Sequence, residues 1–150
     1  MERSPAGRRQ DYCWFHEITL RWNDIDVFGH VNNAQYYAFF DTAVVRFLKT
    51  LEDVGIAAGG ISMVVAESGC RFLREMQFSD RLEMGVRVER MGTSSVRYGL
   101  AAFVNGEAEA VADGHFVHVF LDPATKRPAA LDPRMRQHLQ TITLAQEVSA

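Results

Sequence analysis

Two carboxylates two residues apart, Asp24 and Asp26, stand just ahead of Gly29 and His30, and an apolar stretch of helical period begins directly after them. A carboxylate in that place can attack a carbonyl carbon as nucleophile or take a proton from water as general base. The first turn of the helix that follows presents unpaired backbone N–H groups and the positive end of its macrodipole, a cradle for a developing oxyanion. His30 can orient a substrate carbonyl or assist proton transfer, and Gly29 lets backbone approach closely. The same residue types also serve a plainer purpose, since Asp, Asn and Gly make turn hydrogen bonds and cap helices in most strand-to-helix loops. Both readings stand on these residues alone. A calcium loop is excluded, because Phe28 falls where an oxygen ligand belongs and Gln35 where the bidentate Glu should be.

Other reactive side chains are more dispersed. His115 and His118 are three apart in a stretch of strand period, so they point to opposite faces, and no third ligand cluster accompanies them; no metal site is expected. His16 and His138 read as solvated. Ser94 and Ser95 lack the G-x-S-x-G elbow and read first as turn residues. Cys70 has no local histidine and reads as a small buried residue, not a nucleophile. The absence of Walker and Rossmann glycine patterns leaves a nucleotide site of either kind without support.

The elements that must position these groups fit one domain. A chain of 150 residues encloses one core, with 16 Lys+Arg against 19 Asp+Glu giving a net charge of −3. That balance offers no excess cation to hold a phosphate backbone, so nucleic acid is not an expected partner. No apolar run reaches the roughly 20 residues of a membrane span, and the opening residues lack the apolar stretch of a secretory signal; a cytoplasmic location is expected, with Cys13 and Cys70 reduced. Residues 1–12 combine Pro, Gly, Ser and several arginines, and read as a flexible tail ahead of a single domain over 13–150.

From Phe15, Ile18, Leu20 and Trp22 alternate with Glu17, Thr19 and Arg21, the period of a half-buried strand. Residues 33–53 switch to helical spacing, with Tyr36, Tyr37, Phe40, Ala43, Phe47, Leu48 and Leu51 behind an Asn32-Asn33 pair suited to N-capping. Phe39, Val44 and Val45 widen the apolar surface beyond one face, so a strongly curved sheet must enclose this helix. Gly55, Gly59 and Gly60 are expected to end it. Four further strands are expected: an irregular one over 62–78, two regular ones over 82–89 and 96–104 joined at Gly92-Thr93-Ser94, and a fifth over 107–121 after the Asn105-Gly106 hairpin signal. Asp132-Pro133 reads as the start of a short C-terminal helix. The order predicts an α+β domain, a curved antiparallel sheet around one central helix.

The run RWNDIDVFGHVNNAQYYAFFDTAVVRFL resembles the first strand and central helix of hot-dog-fold acyl-CoA thioesterases of the 4-hydroxybenzoyl-CoA thioesterase type, and similar runs occur in bacterial long-chain acyl-CoA thioesterases and plant acyl-carrier-protein thioesterases. The likeness continues more weakly through CRFLREMQFSDRLEMGVRVERMGTSSVRYG. It implies a hot-dog fold and hydrolysis of a fatty or aryl acyl-CoA, with coenzyme A as part of the substrate and no separate cofactor. Asp26 matches the catalytic carboxylate, His30 an assisting histidine, and Asp24 a supporting residue. The segment Gly29, Val31, Asn32, Asn33, with Tyr36 beside it, would polarise and line the thioester site at a subunit interface. Arg90, Gly92, Thr93, Ser94 and Ser95 would lie near the pantetheine and phosphates.

Two departures stand out. The acidic residue and Arg that relatives carry in mid-helix appear here as Asp41 and Val44, and Phe28 replaces a polar residue of the plant enzymes. The resemblance, with the two open edges of a single sheet, implies a homodimer or homotetramer. A binding module that retains acyl-CoA or acyl carrier protein without turnover, and a hot-dog hydratase or dehydratase, are the competing readings.

Overall fold

A computed structural model describes residues 3–52 and 61–144. Five strands, β1 (Trp14–Ile18), β2 (Ser62–Phe72), β3 (Leu82–Met91), β4 (Ser95–Val104) and β5 (Ala112–Leu121), form one antiparallel sheet in the order β1-β3-β4-β5-β2. Two α-helices, α1 (Gln35–Leu48) and α2 (Pro133–Gln140), accompany the sheet among the described residues. The sheet is the curved α+β layer that the alternation predicted, and α1 lies against its inner face.

Inward residues Met84, Val86 and Val88 of β3, Val96, Leu100 and Ala102 of β4, and Phe116 and Phe120 of β5 are all buried. They pack on the buried side of α1, made by Tyr36, Phe39, Phe40, Ala43, Val44, Phe47 and Leu48. Gly114 is obligatory in this seam: a Cβ there would stand 2.1 Å from the Gly69 carbonyl oxygen and 2.8 Å from Cε2 of Phe40. The Asn105-Gly106 turn has φ of 55° and 73°, the left-handed pair its sequence calls for. Asp132 caps α2 as expected, accepting from Arg134 N at 2.8 Å, with Pro133 in the first turn.

Several boundaries differ from the sequence expectation, each for a tertiary reason. β1 stops at Ile18, and Trp22 enters a 3-10 turn, Trp22–Asp24, where it is 75% exposed. The Asp24 carboxylate draws the chain into that turn by accepting from Arg21 N at 2.8 Å. α1 begins at Gln35 and ends at Leu48, where the Thr50 hydroxyl and the His138 ring both bond the Phe47 carbonyl. The glycines at 55, 59 and 60 lie outside the described residues.

β5 starts at Ala112, not at 107, because the preceding residues pair instead with the N-terminal segment: Arg9 N donates to Ala108 O and Ala110 N to Gly7 O. That segment, read as a tail, is tied further. Arg71 donates to the Ser4 and Pro5 carbonyls, Gly7 N donates to Asp113, and Tyr12 packs edge-on against Phe103 on the outer face. His138, read as solvated, is stacked 4.5 Å from Phe47 and bonds Thr50 Oγ1 at 2.9 Å.

Candidate active site

Asp26 sits at the mouth of a tight hairpin. Ile25 and Val31 form a β-bridge, Asp26 N donates to His30 O at 2.9 Å, and Gly29 N returns to Asp26 O at 3.1 Å. Gly29 has φ +82°, the left-handed residue that closes a three-residue loop of this kind. Glycine is therefore needed for the turn itself. The carboxylate is half fixed: Oδ1 accepts from Phe28 N at 2.9 Å, and among the described residues Oδ2 has no partner. Val27 and Phe28, at the tip, are 95% and 79% exposed, so Phe28 contributes its backbone to Asp26 and its ring to solvent.

Asp24 supports this hairpin from below. It is buried, its carboxylate holds Arg21 N and Arg21 Nη2 (2.9 Å), and its carbonyl accepts from Asn32 N at 2.8 Å. Val31 N donates to Met76 O at 2.8 Å. Asn32 Oδ1 accepts from Ala34 N at 3.0 Å, an Asx turn ahead of α1 in place of the expected cap on the helix. Of the run 29–33, the N–H groups of Gly29, Val31 and Asn32 are thus committed. Among the described residues the His30 and Asn33 N–H groups have no backbone partner, and of the two Asn33 lies nearer the start of α1.

A cavity of about 290 Å³ opens beside this loop, and its lining brings together Asp26, His30, Val31, Asn33 and Tyr36. The opposite wall comes from Phe72 and the loop after β2, including Glu75 and Met76. His30 Nε2 lies 3.0 Å from Glu75 Oε2. Sequence reasoning does not single out Glu75; with β2 expected to continue to 78, nothing marks it as facing a cleft. The signal available is the charged Arg74-Glu75 pair breaking the alternation where β2 in fact ends. Arg74 bonds Glu107, and it is His30 that faces Glu75. Burial pushes the Tyr36 phenol up to about 12, so it enters the site as a neutral group.

The distal group expected near coenzyme A does not meet this cavity within one chain. Leu82 pairs with Val104 and Phe72 with Ala112 at the Asp26 end, whereas Met91 pairs with Val96 and Ser62 with Leu121 at the other. Ten strand residues at about 3.3 Å each put roughly 30 Å between Asp26 and the turn. There Gly92, Thr93, Ser94 and Ser95 pack against the C-terminal region: Arg136 Nη2 donates to Gly92 O at 2.7 Å and Leu131 N to Thr93 O at 3.0 Å. Arg90 is exposed.

The remaining candidates resolve simply. Val44 is fully buried in the core, so position 44 offers no ligand contact, and Asp41 lies on the exposed side of α1, where partial desolvation raises its carboxyl pKa. Burial pushes the Cys70 thiol up to about 12, which makes it a poor nucleophile. His115 lies on the outer face, 2.8 Å from Glu67, and His118 on the inner face, as strand period requires. Among the described residues no cluster of three metal-ligating side chains occurs, and no helix is long and apolar enough to cross a membrane.

Comparison with known proteins adds a lineage to this geometry. The profile of the thioesterase-like superfamily matches residues 20–139. The PA5185 protein of Pseudomonas aeruginosa strain PAO1 superposes with a TM-score of 0.90 at 42% identity, over 94% of this chain and 99% of that one. A Thermus thermophilus structure described as a thioesterase complexed with coenzyme A and Zn gives 0.77 at 28% identity, over 89% and 96%. The long-chain acyl-CoA thioesterase FadM of Escherichia coli (strain K12) is 26% identical over 83% of this chain and 95% of its own length. Against the uncharacterized Bacillus subtilis (strain 168) protein YsmA, 25% identical over 59% of this chain, the match spans 59% of that protein's length.

Proposed function

The chain belongs to the thioesterase-like superfamily, and from that premise we propose that it hydrolyses an acyl-coenzyme A to free acid and coenzyme A, with Asp26 as general base. The observation that carries this reading is the Asp26 Oδ2, without a partner among the described residues, at a cavity shared with His30, Asn33 and Tyr36. Asp26 takes a proton from water as its oxygen bonds to the thioester carbonyl carbon. The carbonyl oxygen becomes an oxyanion, and the Asn33 N–H is the donor suited to receive it. Collapse of the tetrahedral species breaks the C–S bond, and the thiolate leaves with the proton Asp26 collected. Glu75 fixes the His30 ring at the cavity, where it can orient the carbonyl. The likeness to FadM, named a long-chain acyl-CoA thioesterase, supports coenzyme A as the carrier. The D-x-D…G-H-V-N-N run supports kinship with the 4-hydroxybenzoyl-CoA thioesterase type within the superfamily.

We further propose that the distal turn serves a neighbouring subunit's cavity. β2 is the sheet edge beyond β5, with Val64 and Val65 exposed on it, and pairing such edges between two chains removes both. Arg90 and the Gly92–Ser95 turn then reach coenzyme A bound by the partner.

Thiol release from a panel of fatty and aryl acyl-CoAs tests the activity. The wild type should release thiol from at least one class, and Asp26→Asn should lower turnover by ~10² or more. Binding without release by the wild type would establish a retention module, and near-normal rates in Asp26→Asn would remove the general-base role.

A further inference from the structure

Among the described residues, three polar atoms of the inner core have no hydrogen-bond partner: Tyr98 Oη and both ring nitrogens of His118. Tyr98 is fully buried and His118 is 2% exposed; their rings meet edge-on at 5.2 Å on the inner faces of β4 and β5. Burial holds the His118 pKa down to about 4, so at neutral pH the imidazole offers one donor and one acceptor, and the Tyr98 phenol keeps its proton. Leaving such atoms unpaired costs about 1–3 kcal/mol each, and folded proteins keep few of them without a use. Three in one place can take up a polar group from outside the chain, water or ligand.

Their location says which molecule brings it. A ladder of rings leads from the first turn of α1 to the pair: Tyr37 stacks on Phe116 at 6.0 Å with planes 12° apart, and Phe116 lies 5.8 Å from His118. Tyr37, 37% exposed, is where the ladder reaches solvent, one helical turn beyond Asn33. His118, the nearer member of the pair, therefore stands within about 12 Å of the Tyr37 ring. An extended alkyl chain advances roughly 1.3 Å per carbon given bonds of about 1.5 Å, so eight to ten carbons, roughly, cover that reach. Beside the pair, β2 carries an irregularity between Val65 and Glu67, opposite His118, the kind of register change that re-aims side chains at ligand sites.

We infer that the Tyr98–His118 pair receives a hydroxyl borne near the far end of the acyl chain, which makes the substrate class medium-chain hydroxyacyl thioesters. A hydroxyl pairs two of the three atoms at once, accepting from Tyr98 Oη–H and donating to the unprotonated His118 nitrogen, and leaves the His118 N–H. An unsubstituted chain would leave all three atoms unpaired. The inference rests on the hydrolase reading for the identity of the ligand, while the pair's preference is measurable without turnover.

Calorimetric titration of the Asp26→Asn protein with octanoyl-CoA and 8-hydroxyoctanoyl-CoA, and with decanoyl-CoA and 10-hydroxydecanoyl-CoA, tests it, alongside kcat/KM of the wild type on the same four compounds. One hydroxylated member should bind roughly 10-fold more tightly than its plain partner, and adding Tyr98→Phe, which removes a single oxygen, should bring the ratio to within about twofold. Equal or weaker binding of both hydroxylated compounds, or a preference that survives both Tyr98→Phe and His118→Leu, would overturn the inference and assign the three atoms to a buried water. A hydroxyl preference in binding with no thiol release by the wild type would uphold the pair and defeat the hydrolase reading instead.

Discussion

The oxyanion role given to a single backbone N–H can be tested by deleting that N–H. Asn33 occupies the second position of a turn closed by Gln35 N donating to Asn32 O at 2.9 Å, a place where φ near −60° is usual and proline is favoured. Asn33→Pro therefore removes the N–H while the backbone keeps its path. Because that N–H bonds nothing among the described residues, no hydrogen bond within them is lost with it. The stability change should stay within about 1 kcal/mol, since a compatible proline adds roughly 0.4–1 kcal/mol by restricting the unfolded chain. Loss of one oxyanion donor lowers kcat by about 10²–10³, equivalent to about 2.7–4 kcal/mol. Asn33→Ala is the control, keeping the N–H and discarding the side chain that lines the cavity. Thiol release and urea midpoints measured on both variants separate the two contributions. A proline variant that folds normally and turns over within about threefold of the alanine variant would refute the assignment.

Asp24→Asn removes the charge of a buried carboxylate that holds Arg21 and shapes the hairpin, and urea unfolding should show a loss of about 1–3 kcal/mol. The His118 imidazole, with its pKa held at about 4 in the fold against an ordinary value of 6.5, takes up its proton first in the unfolded chain as pH falls. Stability is therefore full above about pH 6.5 and declines toward pH 4, with about 2 kcal/mol lost by pH 5 through this group; His118→Leu should show a correspondingly shallower decline in denaturant midpoints. Exposed Cys13 should react with a disulfide reagent at pH 8 in the folded protein faster than half-buried Cys70, whose thiol burial pushes up to about 12; equal rates for both thiols in the native state would contradict that difference.

What could be read ahead of the structure depended on how far each decision reached along the chain. The Asn105-Gly106 turn, the alternation of β3 and β4 and the aromatic face of α1 are decided by near neighbours, and all three are where the residue pattern put them. The hairpin that holds Asp26 beside His30 is also built by near neighbours, its glycine and its Asx contacts lying within five residues, but the residue pattern points only to a strand-to-helix loop there. The start of β5 was not legible, since residues 7–9 compete for residues 108–110 from a hundred positions away. Trp22 has the pattern of a strand residue, and only the buried Asp24 bends its backbone away. Glu75 was hidden for the same reason: only the folded loop after β2 brings it to His30. His138 carries no sequence mark of its stacking on Phe47, a contact made across two helices.

Because Asp26 and the Gly92–Ser95 turn stand at opposite ends of one sheet, a working site in the proposed dimer draws on two polypeptides. A chain crippled at Asp26 still carries a sound turn, and a chain with a damaged turn still carries a sound Asp26. Co-expressed, two such silent alleles would form mixed dimers in which one cavity inherits both defects and the other neither. Complementation between mutants that are each inert alone would then follow from nothing more than the length of a ten-residue strand.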